Sequence, residues 1–249
     1  MDGASRLEAT VVCVVILAAT AWIVLRSYGV PSPLAPPWAI ARGAVQLALI
    51  GLILHGVIAN TAFVGIALLV MFTVASVTST RRTGWSPRTY AVVAASMAAG
   101  ITVALTVIFV TRTVEFSGRY LLALGGIVIG NAMTIATLVG RNLKQLTTDH
   151  WDEVEGWLAL GATNRQATIA IARSAVHSAL IPTTDQTRTT GLVTLPGAFV
   201  GAIFGGLSPV EAGRFQIVVL ASIMCAGSIT AVLAATALAP RGIPRQAPN

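Results

Sequence analysis

Long apolar runs separated by short polar connections dominate the pattern of the chain. Runs that meet the roughly 20-residue requirement for a membrane-crossing helix fall near residues 8–25, 38–58, 61–79, 90–110, 121–140, 189–206 and 215–238. The pattern predicts an all-α polytopic membrane protein with about seven transmembrane helices, built as one membrane domain over residues 1–249. The first run, 8–25, is expected to be a retained extra helix. Glu8 interrupts the basic start of a secretory leader, and no clean A-x-A cleavage site follows it. A proline-rich stretch, PSPLAPP at 31–37, cannot be helical throughout and is expected to act as a stiff tether to the second run.

Past Gly140 the pattern changes. Leu143, Leu146, His150, Val154 and Trp157 recur at steps of three or four, which is one face of a helix, and Asp149, Asp152 and Glu153 take its other side. Gly161 stands where a C-terminal cap belongs, because glycine enters the left-handed region without a Cβ penalty. Thr163 and Gln166 have the spacing of a capping box, so a second helix is predicted from about Asn164, carrying Arg165, Arg173 and His177. These features predict an amphipathic helix–turn–helix between spans five and six, with the segment 142–187 outside the apolar runs. On physical grounds alone, a hairpin lying at the lipid headgroups fits as well as one that docks a partner.

Composition agrees with a lipid environment. The chain is 55% hydrophobic and 10% charged, whereas soluble domains carry about 25% charged residues. The net charge of +7 is spread over the ends of apolar runs, with no compact stripe and no interleaved aromatics, so nucleic-acid binding is excluded. Arg26, Arg42, Arg81, Arg82, Arg88, Arg141, Lys144, Arg165, Arg173, Arg188, Arg241 and Arg245 are assigned to one side. Arg6, Arg112, Arg119 and Arg214 are assigned to the other. The positive-inside rule then places the C-terminus in the cytoplasm and, with an odd number of spans, the N-terminus outside a plasma membrane. Small-residue spacings such as Gly125, Gly126 and Gly130 suit close helix packing in lipid.

Candidate chemistry is sparse. No P-loop is present, so ATP hydrolysis is not expected from this chain, and no His, Asp, Ser or Cys constellation suggests an enzyme. Cys13 and Cys225 lie in separate apolar runs, and His55, His150 and His177 are dispersed. No metal site and no cofactor is predicted. Polar groups within spans are costly and tend to face a bundle interior or a path. They are Arg42 with Gln46, Asn131 with Met133, Asp185 with Arg188, and Glu115 near an outer end. Each has a structural reading beside the functional one: snorkelling for Arg42, a packing hydrogen bond for Gln46 or Asn131, filler for Met133, a local i,i+3 ion pair for Asp185. Glu115 and His55 are read as unrelated outer-surface positions. Leu195-Pro196-Gly197 should kink or break the sixth span near its middle, and irregular backbone at that depth must line a cavity or be buried. Gln46, Asn131, Met133, Asp185, Pro196 and Gly197 are therefore the transport-path candidates.

The stretch Glu155 to Gly161 resembles the EAAxxxG signature of ABC-transporter permeases, with Gly156 and Trp157 in place of the two alanines. Taken with Gly130-Asn131-Ala132-Met133, Leu158 to Thr163, Ile181-Pro182-Thr183-Thr184-Asp185, Gly191 to Gly197, and Arg42 followed by Gln46, the series resembles the FetB-type ABC permease family. That family includes a bacterial iron exporter and a plant aluminium-tolerance permease. The resemblance covers about 40–238. It implies the transmembrane subunit of an ABC exporter of iron or another metal, working as a homodimer with a separate ATPase. It also implies that the ATPase docks on Asp152, Glu153, Glu155, Gly156, Trp157, Leu160, Gly161, Ala162 and Thr163. An ATPase-independent transporter or channel, and export of an organic substrate such as a nucleotide sugar, stand as alternatives.

Overall fold

A computed structural model describes residues 3–58 and 61–239, and Arg241 and Arg245 lie outside it. Among these residues all the regular elements are helices. The chain divides into two compact units, Met1–Ala59 and Asn60–Asn249.

The first unit is a helical hairpin, α1 (Gly3–Ser27) and α2 (Ala35–Ile58). Its connection corrects the expected tether. Pro36 and Pro37 are not part of an extended linker but fall in the opening turn of α2, where a missing N–H leaves no helix bond unmade. The reversal is made by Gly29 and Ser32, both at positive φ, and Ser32 O accepts from Ala35 N at 3.0 Å. Large apolar side chains stand exposed all round both helices, as expected where the solvent is lipid.

The second unit holds α3 (Thr61–Thr83), α4 (Pro87–Val110), α5 (Gly118–Asp149), α6 (Trp151–Ala159), α7 (Asn164–Thr189), α8 (Gly197–Phe204) and α9 (Pro209–Leu238). Serines set three of the starts. Ser86 Oγ accepts from Thr89 N at 3.0 Å, Ser117 Oγ from Tyr120 N at 3.4 Å, and Ser208 forms a full capping box with Glu211. Each bond occupies a donor that a helix N-terminus would otherwise leave free.

Small residues set the packing. In lipid there is no hydrophobic drive between helices, so close backbone approach and van der Waals contact must hold them. Gly100 of α4 lies against the carbonyl of Ala226, and Thr230 Oγ1 donates to Ser96 O at 3.3 Å; α4 and α9 therefore run antiparallel. Gly125 abuts Leu68, Gly140 abuts Thr83, and Thr137 Oγ1 donates to Ser79 Oγ at 3.1 Å, so α3 and α5 run parallel. Gly227 sits beside both Ile135 and Leu180, which brings α5, α7 and α9 to one level. Of the predicted small-residue sites, Gly125 and Gly126 make such contacts, whereas nothing lies near Gly130.

Among the described residues, five helices are long and apolar enough to cross a membrane: Leu7–Ser27, Ala62–Thr83, Pro87–Val110, Gly118–Asp149 and Pro209–Leu238. The chain is a multi-pass membrane protein, and α2, with 24 residues, has the length of a further crossing. The predicted sixth span, 189–206, is not one helix. Residues 190–196 are non-helical, and the eight residues of α8 reach only about 12 Å of a hydrocarbon core about 30 Å thick. The helix before it, α7, packs into the bundle: its Ala167, Ile171, Ala172, Ala175 and Ala179 are buried in one cluster with Val139 and Leu143 of α5 and Ala231 and Ala235 of α9. A face of alanines packs closely yet scores as weakly apolar.

Gly100→Val is expected to destabilise the fold by about 1–3 kcal/mol, because the new side chain meets the Ala226 backbone and not a side chain that can swing away. Thermal unfolding of the purified chain in detergent checks this.

Candidate functional site: a hairpin tip and a polar helix face

At one end of the second unit, α6 and α7 form the predicted helix–turn–helix. The face predicted from Leu143 to Trp157 is not continuous. His150 leaves helical geometry (φ −113°, ψ 30°) and its N–H closes α5 on Leu146 O at 3.0 Å. The chain then restarts with Asp152 and Glu153 in the first turn of α6, where the helix dipole favours carboxylates. That break rotates the face. Val154 is buried, Trp151 and Leu158 pack beside it, and Trp157 turns outward.

The turn itself matches expectation. Gly161 has φ +89°, its N–H donates to Leu158 O at 3.0 Å, and Ala162 N donates to Trp157 O at 3.0 Å. This is a Schellman closure. Thr163 then opens α7: its N–H donates to Gln166 Oε1 at 2.8 Å, and Gln166 N donates to Thr163 Oγ1 at 3.3 Å. Between the two helices lies an open groove of about 600 Å³ lined by Glu153, Trp157, Leu160, Gly161, Ala162 and Ile169, among others. Leu160 is 82% exposed, and Asp149, Asp152, Glu153, Glu155, Gly156 and Thr163 are all at the surface. Ala162 is half-buried. The tip thus combines an apolar groove with an acidic rim. His150 Nδ1 lies 4.0 Å from Glu153.

The second feature is the other face of α7. Away from the buried alanines, Arg173, Ser174, His177, Ser178, Asp185 and Arg188 are exposed. Their depth follows from the packing. Leu180 is level with Gly227, one residue past the Ala226 that touches Gly100 near the middle of α4. At 1.5 Å per residue, Arg173 lies about 10 Å and His177 about 5 Å to the hairpin side of that level. Asp185 and Arg188 lie about 8 and 12 Å to the other side. Asp185 Oδ1 and Arg188 Nη1 are 3.6 Å apart, with side chains 61% and 76% exposed. Pro182, inside α7, cannot donate to the carbonyl of Ser178, so a backbone acceptor also opens on this face.

Arg173, His177, Asp185 and Arg188 all lie along α7, the helix predicted from about Asn164, which packs into the bundle through its alanine face. The break expected at Leu195-Pro196-Gly197 is present: residues 190–196 are non-helical, Pro196 is the N-cap of α8 and Gly197 its first residue. Thr189 O gathers the N–H groups of Leu192, Val193 and Thr194, and Thr194 O accepts from Gly191 N at 2.8 Å, which closes the turn.

The remaining candidates separate. Asn131 Nδ2 donates to Ile127 O of its own helix at 2.9 Å, and Met133 packs beside the cluster containing Ala132 and Ala136. Gln46 and Arg42 are exposed on α2 of the first unit, and the side chain of His55 lies outside the described residues. Glu115 lines a surface cavity of about 470 Å³ with Tyr120, Glu211 and Arg214 at the end away from the hairpin. Among the described residues no group of three or more His, Cys, Asp or Glu could hold a metal ion. Ser174 and Ser178 were missed by sequence reasoning. Their signal was a polar recurrence at steps of three and four opposite a row of alanines.

Gly161→Ala is expected to cost the hairpin about 1–2 kcal/mol, since the residue must hold φ +89°, and Gly161→Asn less. Rates of limited proteolysis at the turn should rise in that order, Gly, Asn, Ala.

The Uncharacterised protein family (UPF0014) matches the chain over residues 8–242. UPF0014 membrane protein STAR2 of Oryza sativa subsp. japonica is 37% identical over 79% of this chain and 70% of its own length. Protein ALUMINUM SENSITIVE 3 of Arabidopsis thaliana is 35% identical over 78% of this chain and 72% of its own. The probable iron export permease protein FetB of Escherichia coli (strain K12) is 31% identical over 79% of this chain and 77% of its own. No solved structure matches the chain. Two plant proteins and a bacterial permease thus share most of the helical scaffold described above, and the chain belongs to the UPF0014 family of membrane proteins.

Proposed function

We propose that this chain is the transmembrane subunit of an ABC exporter, in which α7 both receives force at the hairpin and lines the transport path. One observation carries the proposal. The helix whose first turns wall the α6–α7 groove is the same helix that carries exposed polar groups from Arg173 to Arg188 along the bundle. A push or pull at the tip is therefore delivered along one continuous helix to the polar face, with no intervening loop.

The acidic tip argues against a hairpin resting on lipid. Helices that lie at headgroups carry Lys and Arg on the polar face and are drawn to anionic lipid. Here Asp149, Asp152, Glu153 and Glu155 stand at the tip of a chain whose net charge is +7. A soluble protein with basic groups fits better. A separate ATPase subunit, docking on Asp152 to Thr163, supplies the energy that this chain has no P-loop to harvest. With Arg81, Arg82, Arg88, Arg141, Lys144 and Arg165 gathered near this end, the hairpin faces the cytoplasm, the N-terminus lies outside, and the membrane is the plasma membrane.

The substrate reading follows the FetB relative, named as an iron export permease. The polar face offers the Asp185 carboxylate, the His177 imidazole and several hydroxyls, which suit a passing cation bound weakly in a hydrated or chelated form. Arg173 and Arg188 on the same face would also draw an anionic ligand shell or a phosphorylated organic substrate. Pro196 and Gly197 shape the exit of the path, while Gln46, Asn131 and Met133 support packing.

Asp152→Asn, Glu153→Gln and Glu155→Gln combined should reduce co-purification of the ATPase several-fold and abolish most transport, with membrane insertion unchanged. Transport sustained in proteoliposomes that hold this chain without any ATPase would overturn the proposal.

A further inference from the structure

At the hairpin end of the second unit a collar of positive charge lies behind the acidic tip. Gly140 of α5 abuts Thr83 of α3, and Arg141 Nε donates to Arg82 O at 3.4 Å. The last turn of α3 and the α5 residues after Gly140 therefore stand at one level. The three-residue turn 84–86 starts α4 from the same place. Arg81, Arg82, Arg88, Arg141 and Lys144 are all exposed there. Among the described residues the ion pairs are His150–Glu153 and Asp185–Arg188, so none of the five cations has a carboxylate partner. Asp149 lies about 12 Å past Arg141 along α5, more than the screening length of about 8 Å in physiological salt. Five cations crowded at one level repel one another and gain from any anion that reaches them.

The level of the collar identifies that anion. The apolar spans Ala62–Thr83 and Pro87–Val110 end and begin at this turn, which sets it at the boundary between hydrocarbon and headgroups. Trp85, 60% exposed, stands in the turn with its ring centroid 6.2 Å from that of Tyr90. Such rings favour the headgroup level, where one edge is wet and the other apolar. A backbone donor is open as well. Ser86 Oγ takes the Thr89 N–H and Pro87 has none, which leaves the Arg88 N–H at the positive end of α4 without a partner among the described residues. We propose that this collar binds an anionic phospholipid, its phosphodiester held by Arg81, Arg82, Arg88, Arg141 and Lys144, with Trp85 and Tyr90 against its glycerol. Guanidinium groups suit that ligand because each can pair two phosphate oxygens at once. A soluble acidic partner fits less well, because the hairpin tip stands further out and presents Asp149, Asp152, Glu153 and Glu155 to anything approaching from water. The bound lipid neutralises the collar where the ends of α3, α4 and α5 converge, and so ties them together.

Native mass spectrometry of the purified chain in detergent tests this. The chain is titrated with phosphatidylglycerol or with phosphatidylcholine, which carries the same phosphate but no net charge, and bound lipids are counted. Phosphatidylglycerol should be retained about tenfold more tightly than phosphatidylcholine. Arg81→Gln, Arg88→Gln and Lys144→Gln combined should bring it to the phosphatidylcholine level. Arg112→Gln, Arg119→Gln and Arg214→Gln remove as much charge from the opposite end and should leave the preference within about twofold. Equal retention of the two lipids by the unaltered chain would overturn the proposal, and that comparison does not depend on any variant folding. An equal loss in both triple variants would overturn it too, by reducing the effect to net charge. So would no loss in either, which would put the lipid elsewhere.

Discussion

The constraint on which this structure turns is the cost of a polar side chain at membrane depth. Among the described residues, five helices are apolar enough to satisfy it. The helix α7 is not one of them. The alanine face of α7 packs tightly between α5 and α9, while Arg173, His177, Asp185 and Arg188 stand exposed. A helix can remain so only if its exposed polar groups meet water or another protein. The export reading follows from that arrangement: a path along α7 and a lever at the end where α7 begins.

The lever is built locally and firmly. Gly161 closes α6 with two backbone bonds, Thr163 and Gln166 open α7 with a reciprocal pair, and Val154 anchors the short helix in the α5–α7 cluster. The hairpin therefore moves as a body with α7. By contrast, α7 meets its neighbours through Ala167, Ile171, Ala172, Ala175 and Ala179, with Leu180 beside Gly227. Polar side chains interlock other helices, such as Thr137 with Ser79.

Much of this was legible in the sequence where chemistry is local. The apolar runs located α3, α4, α5 and α9, and the Gly161 and Thr163–Gln166 signals located the hairpin and the start of α7 to the residue. Family membership was legible through the order of short motifs from Gly130 to Gly197. The fate of the predicted sixth run was not. Residues 190–196 leave helical geometry and α8 has only eight residues, so 189–206 is not one helix. Pro36 and Pro37 misled as well. Proline breaks a helix interior but suits its opening turn, and only the structure shows which of the two applies. The loss of register at His150 depends on how Val154 docks in three dimensions, which no periodicity within one segment reveals.

The claim that α7 presents its polar face to water inside the membrane is tested most directly by thiol accessibility. In a chain with Cys13→Ser and Cys225→Ser, Ser178→Cys is compared with Val103→Cys, which is exposed on the apolar helix α4. Both are treated in intact membranes with a charged, membrane-impermeant thiol reagent. Only a hydrated thiol ionises and reacts, so Ser178→Cys should react at least about tenfold faster than Val103→Cys. Equal, slow reaction at the two positions would contradict the account.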